Sequence, residues 1–298
     1  MSSRVQERTA HRMGMVQATT RFLPPPLLLL LSILSIQLGT AIAKGLFHLV
    51  GPGGAVFLRL GLAAIICMIM VRPRLRGYTW REYGWVVLFG CVIAAMNSLY
   101  FASISRIPFG VATTLEFIGP LGVSLASSRR ILDLLWTVLA AVGIALLLPI
   151  KRGIAFDSLG VILALMAGTG WAAYILVNVR VGRAFPGTTG LALSMSVAAL
   201  VLMPFDIGNL APLLQHPVPL LLGLVVAVLS TVIPFALELE ALRRMSTRAF
   251  GVLLSLEPAV SALIGFVFLG ETIGARGLLA MLLIIIASCG VSFLEPTC

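Results

Sequence analysis

The stretch that decides the fold is Phe109-Gly110-Val111-Ala112-Thr113-Thr114-Leu115-Glu116, which aligns without gaps with Phe250-Gly251-Val252-Leu253-Leu254-Ser255-Leu256-Glu257. Five of the eight aligned positions are identical. Each copy lies in an apolar segment that is followed by a short polar break and one last apolar segment. Self-similarity of this kind indicates a structural repeat. The chain is therefore predicted to contain two copies of one unit.

The composition indicates a membrane protein. The chain has 298 residues, of which 59% are hydrophobic and 11% are charged, and its mean hydropathy is +1.08. A water-soluble core of this size cannot bury so many apolar side chains. Apolar segments of about 17–22 residues are long enough to cross a bilayer as helices. We predict ten such helices, at 27–43, 55–71, 84–104, 110–127, 132–149, 159–178, 188–205, 218–240, 250–268 and 276–294.

These helices divide into a basic N-terminal segment at 1–26, a first five-helix repeat at 27–150 and a second five-helix repeat at 159–294. Because each half crosses the membrane an odd number of times, the second copy must enter from the opposite side. The predicted fold class is an all-α integral membrane protein with two inverted five-helix repeats. Such repeats are common in secondary transporters, where two bundles expose one site alternately to each face.

The net charge of +10 would suggest a nucleic-acid partner in a soluble protein, but here the basic residues form short clusters between apolar segments. With a cytoplasmic N-terminus, fifteen basic residues fall inside, namely Arg4, Arg8, Arg12, Arg21, Arg72, Arg74, Arg76, Arg81, Arg129, Arg130, Arg180, Arg183, Arg243, Arg244 and Arg248. Five fall outside, namely Lys44, Arg106, Lys151, Arg152 and Arg276. The positive-inside rule therefore predicts that both termini are cytoplasmic. Because topology accounts for the basic clusters, we expect no nucleic-acid partner.

The cysteines and the first apolar segment each allow a second interpretation. Cys67, Cys91, Cys289 and Cys298 have neither metal-ligand spacing nor a secreted disulfide pattern, so we treat them as small apolar residues and expect no metal and no cofactor. The first segment resembles a signal peptide, because basic residues precede it and Ala41-Ile42-Ala43 resembles a cleavage site. The repeat needs this segment as its first helix, so we expect it to be retained.

Two glutamates are the main candidates for function. Glu116 and Glu257 occupy equivalent positions in the two copies, and we expect each near the middle of its helix. An ionisable group at that depth costs about 2.5–3.5 kcal/mol on insertion scales, so it needs a partner, a wet cavity or a function. One interpretation is a site for substrate or proton coupling. The other is a protonated, hydrogen-bonded side chain that holds neighbouring helices together.

Prolines near these glutamates predict broken helices. Pro120 cannot donate to the carbonyl of Glu116, and Pro258 cannot donate to that of Leu254. Broken backbone at membrane depth is tolerated where protein or a water-filled cavity satisfies it, which favours the region between the repeats. Kinks that only improve packing are the alternative.

Two basic residues and several polar ones complete the candidates. Arg59 offers a planar fork for a carboxylate, but we favour snorkelling to the outer interface, and we expect the same of Lys44. Five further side chains could bind a substrate or only join helices, namely Gln37, Asn97, Tyr100, Trp171 and Tyr174. Glu238 and Glu240 are expected to pair locally with Arg243 and Arg244.

Several ordered motifs carry a family resemblance. They are Phe268-Leu269-Gly270-Glu271-Thr272, Ser35-Ile36-Gln37, Ala43-Lys44, Leu58-Arg59-Leu60, Leu115-Glu116-Phe117, Gly119-Pro120, Ser127-Ser128-Arg129-Arg130, Trp171-Ala172, Tyr174-Ile175-Leu176 and Glu257-Pro258-Ala259. Over about residues 27–294 the chain resembles the drug/metabolite transporter superfamily, in its EamA branch, and within that branch the threonine/homoserine exporters. Glu271 has no counterpart in the first half, where Arg129-Arg130 aligns, so we interpret it as a helix cap or loop residue.

The resemblance implies proton-coupled export of small amino acids across the bacterial inner membrane, with lipid around the chain and a homodimer considered as its oligomeric state. Export of another small polar metabolite or drug is the alternative. An intramembrane enzyme is disfavoured, because His11, His48 and His216 fall outside the predicted helices and Asp133, Asp157 and Asp206 fall at helix boundaries. The inverted repeat argues against a passive channel, and the lack of a Walker loop argues against ATP as energy source.

Overall fold

A computed structural model of the chain describes residues 23–73, 77–127, 157–185, 188–206, 217–245, 253–272 and 274–294, with short pieces at 135–136, 138–139, 142–143, 146, 208 and 250. No β-strand occurs in any of these ranges, in agreement with the predicted all-α class. The predicted helix at 132–149 lies mostly outside the described residues.

Eleven α-helices have described bounds. In chain order they are α1 (Pro25–Gly45), α2 (Phe47–Val71), α3 (Trp80–Ile104), α4 (Phe109–Glu116), α5 (Ile118–Ser127), α6 (Ser158–Ala184), α7 (Thr189–Asp206), α8 (Pro217–Ala227), α9 (Ile233–Arg244), α10 (Glu257–Leu269) and α11 (Ala275–Leu294). A π-helical stretch, Val228–Val232, joins α8 to α9.

Six of the described helical stretches are long and apolar enough to cross a membrane, namely Pro25–Gly45, Phe47–Val71, Trp80–Ile104, Ser158–Ala184, Thr189–Asp206 and Val218–Glu238. Large apolar side chains also cover the outside of the protein. Ile65, Leu176 and Phe266, for example, are 57%, 54% and 64% exposed. Apolar surface of this extent is suited to lipid and not to water. The chain is therefore a multi-pass membrane protein.

The structure corrects several predicted helix bounds. α2 begins at Phe47 and not at 55, so His48 lies inside a helix, contrary to expectation. Its first turn is separated from the rest by Gly51, whose φ of 69° favours glycine, and by Pro52, which has no backbone N–H. α3 begins at Trp80 because Thr79 and Glu82 form a capping box, and α6 continues past 178 to Ala184. Both extensions contain arginines, Arg81 in α3 and Arg180 and Arg183 in α6, which an apolar window excludes.

Two helix pairs that the predicted repeat makes equivalent are both in contact. They are α3 with α6 and α9 with α1. α2 packs against α7, a pair that the predicted repeat exchanges with itself, and α4 packs against α10. At the second crossing, a Cβ on Gly110 would lie 2.7 Å from Ala262, so the close approach of α4 and α10 requires glycine there.

The loops meet at two ends of the bundle. At one end, here called the Glu271 end, Arg106 Nη1 lies 2.7 Å from Asp157 Oδ2, which joins the end of α3 to the start of α6. The hydrogen bond from Arg106 holds the pKa of the Asp157 carboxyl below its usual value. At the opposite end, the Arg244 end, Arg244 Nη2 donates to the carbonyl oxygen of Leu23 at 2.8 Å.

Candidate functional site

Both candidate glutamates lie at helix breaks and not in the middle of continuous helices. α4 ends at Glu116, and Phe117 forms a turn before α5. In the second copy, Ser255 and Leu256 form the turn and Glu257 is the first residue of α10. The predicted helices at 110–127 and 250–268 are therefore each interrupted next to the glutamate.

The two prolines explain where the helices restart. Pro120 is the third residue of α5, and Pro258 is the second residue of α10. In the first turn of a helix the missing N–H of proline costs nothing, because that N–H has no intrahelical acceptor. The prolines thus begin new helices. They do not kink the interior of old ones, which was one of the predicted alternatives.

The freed carbonyl of Glu116 faces protein. A Cβ on Gly168 of α6 would lie 2.7 Å from the Glu116 carbonyl oxygen, and a Cβ on Gly119 would overlap the carbonyl oxygen of Gly168. Only glycine allows these backbones to approach so closely. The Glu116 carbonyl is therefore packed against the backbone of α6.

Four ionisable side chains from separate helices meet in the interior, here called the central group. They are Arg59 from α2, Tyr100 from α3, Glu116 and Glu257. The two glutamates are 7% and 8% exposed, and each is close enough to Arg59 to interact electrostatically. The structure thus brings together the three charged residues that the sequence singled out inside the membrane.

Hydrogen bonding distinguishes the two glutamates. Gln37 is 1% exposed, and its Nε2 donates to Glu257 Oε1 at 3.1 Å, so α1 holds the carboxyl at the start of α10. Within the described chain, Glu116 has no hydrogen-bond partner and interacts with Arg59 and Glu257 by charge alone. Glu257 is therefore fixed by a side-chain partner, whereas Glu116 is free to accept one.

Arg59 does not snorkel to the interface. Its guanidinium carbon lies 5.5 Å from the centre of the Phe101 ring, and its Nη2 donates to the carbonyl oxygen of Ser230 at 3.3 Å. Its Nε atom is buried and has no hydrogen-bond partner among the described residues. A buried guanidinium with an unused donor, next to two carboxyls, is arranged to receive a further acceptor.

The acceptor for Arg59 belongs to the π-helical stretch Val228–Val232, which the sequence did not predict. π-helical turns shift the hydrogen-bond ladder by one residue and recur at functional sites. Here the Ser35 hydroxyl donates to the carbonyl oxygen of Leu229 at 2.6 Å, while Arg59 uses that of Ser230. Two side chains from the first half therefore bind backbone that the shift has made accessible.

A third carboxyl lies close to the central group. Glu238 Oε1 accepts a hydrogen bond from the Ser32 hydroxyl at 2.8 Å, and Glu238 is near enough to Glu257 and Tyr174 to interact electrostatically. Local pairing was predicted for both Glu238 and Glu240. Among the described side chains, Glu238 contacts α1 instead, whereas Glu240 Oε1 lies 3.8 Å from Arg244 Nη1. Residues two apart in a helix point to different sides, so Glu238 can face α1 while Glu240 does not. That spacing was the signal that the sequence analysis missed.

The remaining polar candidates line the surrounding helices. The Tyr100 and Thr113 hydroxyls are 2.7 Å apart, and Asn97 donates to the carbonyl oxygen of Ile93 at 2.9 Å in its own helix. The Trp171 ring meets Phe117, at the break in α4–α5, with a centroid distance of 5.6 Å. Tyr174 packs on Phe89 at 4.9 Å. Tyr100 is thus in the central group, while the other three are anchored beside it.

Lys44 takes part in a different contact, at the Glu271 end. It forms an ion pair with Glu271 Oε1 instead of snorkelling. Glu271 Oε2 accepts the backbone N–H of Phe109 at 2.7 Å, so the same carboxylate caps the N-terminus of α4. One side chain of the second half therefore ties two helix ends of the first half.

The chemistry of the central group suits a small zwitterion. Arg59 supplies donors for a carboxylate, and the glutamates supply acceptors for an ammonium group or a proton. Among the described residues no group of three His, Cys, Asp or Glu side chains is arranged to hold a metal ion. A buried charged group at two helix breaks in a multi-pass membrane protein is the arrangement of a membrane transporter.

Comparison with known proteins agrees with this class. The threonine/homoserine exporter RhtA of Salmonella typhimurium is 42% identical over 276 residues, which cover 91% of this chain and 93% of that protein. RhtA of Escherichia coli is 42% identical over 267 residues, covering 89% and 90%. The uncharacterized transporter YwfM of Bacillus subtilis is 24% identical over 241 residues, covering 78% and 81%. Residues 158–293 match the EamA-like transporter family. The chain belongs to that family, as its motifs predicted, and these relatives are transporters and not enzymes.

A solved crystal structure of another protein has the same fold. Its TM-score is 0.59 over 92% of this chain and 99% of that chain, at 19% sequence identity. At this identity the similarity concerns the fold alone.

Proposed function

We propose that this protein is a secondary active exporter of small amino acids of the threonine and homoserine type in the bacterial inner membrane. The observation that carries the proposal is the 42% identity to RhtA over about nine-tenths of both chains. Similarity of this extent covers both halves and every member of the central group.

The central group supports an amino acid as substrate. In this proposal the substrate carboxylate binds Arg59, whose Nε is buried without a partner. The substrate ammonium group binds Glu116, which has no hydrogen-bond partner in the described chain. Gln37 and Tyr100 line the site, while Glu257 stays bound to Gln37. An amino acid would use both of its charged groups, so metabolites without charged groups would bind less well.

Protons are the proposed coupling ion. A carboxyl that exchanges a proton for a substrate ammonium group can couple the two fluxes, because both compete for the same oxygen atoms. Glu116 fits this role better than Glu257, whose Oε1 is already an acceptor. Glu238 lies beside Glu257 and belongs to α9, which ends at Arg244. It therefore extends the row of carboxyls toward the Arg244 end.

The proposal includes ten helices in two inverted repeats, at 27–150 and 159–294, after the basic segment at 1–26. The exchange of α1–α9 for α6–α3 in the packing supports a two-fold relation of the halves. The Arg244 end carries most of the described arginines. By the positive-inside rule this supports a cytoplasmic location for that end and for both termini. A homodimer remains part of the proposal, and the mass of the protein–detergent particle tests it.

Counterflow in proteoliposomes tests the function. Vesicles loaded with unlabelled threonine or homoserine should accumulate labelled threonine in a saturable way, and vesicles without protein should not. A panel of other amino acids defines the specificity. If no amino acid exchanges while the protein is inserted and monodisperse, export of another small polar metabolite replaces this proposal.

The topology predicts the accessibility of single cysteines. In a chain whose own cysteines are replaced by serine, a cysteine at Arg72 should react with an impermeant maleimide only after the cells are opened. A cysteine at Arg106, at the opposite end, should react in intact cells. Labelling of the Arg72→Cys variant in intact cells would reverse the proposed orientation.

The Arg59→Lys variant should lose most transport although it keeps its positive charge. The ammonium group of lysine has no planar fork and cannot bind a carboxylate in a bidentate manner, which we expect to cost about 1.5–3 kcal/mol, or roughly 10- to 150-fold in kcat/KM. The measurement is initial flux at matched protein levels. Normal flux would remove Arg59 from the substrate site, and Arg106→Lys serves as the control for a charge outside it.

A further inference from the structure

A basic groove lies at the Arg244 end, apart from the central group. It is a cavity of about 300 Å³ between the start of α3 and the end of α6, lined by Arg81, Glu82, Trp85, Arg180, Arg183 and Ala184. Nothing in the proposed transport cycle uses these residues.

Among its described lining residues the groove has three arginines and one glutamate. Glu82 is the acidic residue of the lining, and its Oε2 accepts hydrogen bonds from the backbone N and hydroxyl of Thr79, at 2.6 and 2.8 Å. That carboxylate is therefore occupied at the N-terminus of its own helix. Arg180 lies over the Trp85 ring at 5.3 Å, and in the described chain none of the three lining arginines has an ion pair. An anion is the ligand that this charge would attract.

Apolar surface continues directly from the groove into the membrane. Leu88 follows Trp85 by one turn of α3 and is 45% exposed. On α6, Leu176 and Val179 precede Arg180 and Arg183 by one turn and are 54% and 50% exposed. A soluble anion would make no contact with this apolar surface, whereas the acyl chains of a lipid would bury it.

We propose that the groove between α3 and α6 binds the head group of an anionic phospholipid, whose acyl chains lie along Leu88, Leu176 and Val179. The phosphate binds the Arg180 and Arg183 guanidiniums, and the Trp85 ring holds Arg180 in place. Basic pockets between helices at the membrane surface are suited to such head groups. The lipid would bridge α3 and α6, which belong to different halves, so it would stabilise their packing.

Thermal unfolding of the full-length protein in detergent tests the proposal. Phosphatidylglycerol should raise the unfolding midpoint of the wild type more than phosphatidylcholine with the same acyl chains, because ligand that binds only the folded state stabilises it. The Arg180→Gln/Arg183→Gln variant should lose this difference. The Arg72→Gln variant, which changes a charge at the same end outside the groove, should keep it. Equal lipid effects in all three proteins would overturn the proposal.

A second measurement does not depend on the stability of the arginine variants. In a chain with Trp80, Trp136 and Trp171 replaced by phenylalanine, phosphatidylglycerol brominated near its glycerol should quench Trp85 fluorescence more than brominated phosphatidylcholine. Equal quenching by both lipids would contradict a head-group site. Stabilisation by soluble glycerol phosphate to the same degree as by the lipid would identify a site for a free anion instead, and would also overturn the proposal.

Discussion

Glu116→Gln should abolish the stimulation of transport by a pH gradient, while Glu257→Gln should keep most of it. Glutamine has nearly the same shape as glutamate and retains hydrogen bonding, but it cannot take up and release a proton. A coupling free energy of about 1–3 kcal/mol corresponds to a change of roughly 5- to 150-fold in flux ratio. The measurement is substrate flux in proteoliposomes with and without an imposed pH gradient, at matched protein levels.

The asymmetry follows from the contacts of the two carboxyls. Glu257 is held by Gln37 at 3.1 Å, and glutamine at that position can still accept this hydrogen bond through its carbonyl oxygen. Glu116 has only charge interactions, with Arg59 and Glu257, among the described residues. Its neutralisation therefore removes the interaction that a proton or an ammonium group would change. Gradient-driven flux that is unchanged in Glu116→Gln would contradict the coupling role, and equal loss in both variants would contradict the asymmetry.

Counterflow separates coupling from binding in the same variants. If Glu116 also binds the substrate ammonium group, Glu116→Gln should raise KM for exchange as well as remove the gradient effect. The double variant Gln37→Ala/Glu257→Gln then reports the structural role, because it removes the bond between α1 and α10. We expect that double variant to lower the unfolding temperature.

Covalent linkage of residues 44 and 271 should stop transport almost completely and reversibly. Lys44 belongs to α1 in the first half, and Glu271 follows α10 in the second half, so their ion pair connects the halves at the Glu271 end. Alternating access requires this end to separate during the cycle. A short reversible bis-thiosulfonate reagent applied to the Lys44→Cys/Glu271→Cys variant, without other cysteines, should therefore trap the closed arrangement. Added reductant should restore flux.

The two single-cysteine variants are the matched controls, because each loses the ion pair but cannot be linked within one chain. Each should keep the same flux before and after the reagent. Loss of the cap on α4 affects Glu271→Cys alone, since its carboxylate accepts the Phe109 N–H. That variant should therefore begin at lower flux than Lys44→Cys. Full flux in the linked double variant would exclude movement at this end.

Much of the candidate site could be predicted from the repeat. Glu116 and Glu257 are equivalent in the alignment, and a charged residue in an apolar segment is rare enough to mark them, as it marks Arg59. The structure brings these three together. Snorkelling of Arg59 was predicted wrongly because a helix position alone does not tell which side of the helix faces the interior. Phe101 and the Ser230 carbonyl, which surround it, are distant in sequence.

Hydropathy and the repeated segment alone establish the class, since the amount of apolar surface and the length of each apolar segment depend on composition and order. The helix breaks, the π-helical stretch, the role of Glu238 and the partner of Lys44 depend on tertiary packing. Each is a contact between residues far apart in the chain: Gly168 on Glu116, Ser35 on Leu229, Ser32 on Glu238 and Lys44 on Glu271. Local patterns predict which residues are unusual, because the free-energy cost of burying a polar or charged side chain depends on that side chain itself. They cannot predict which partner compensates that cost, because the partner is chosen by how the helices pack.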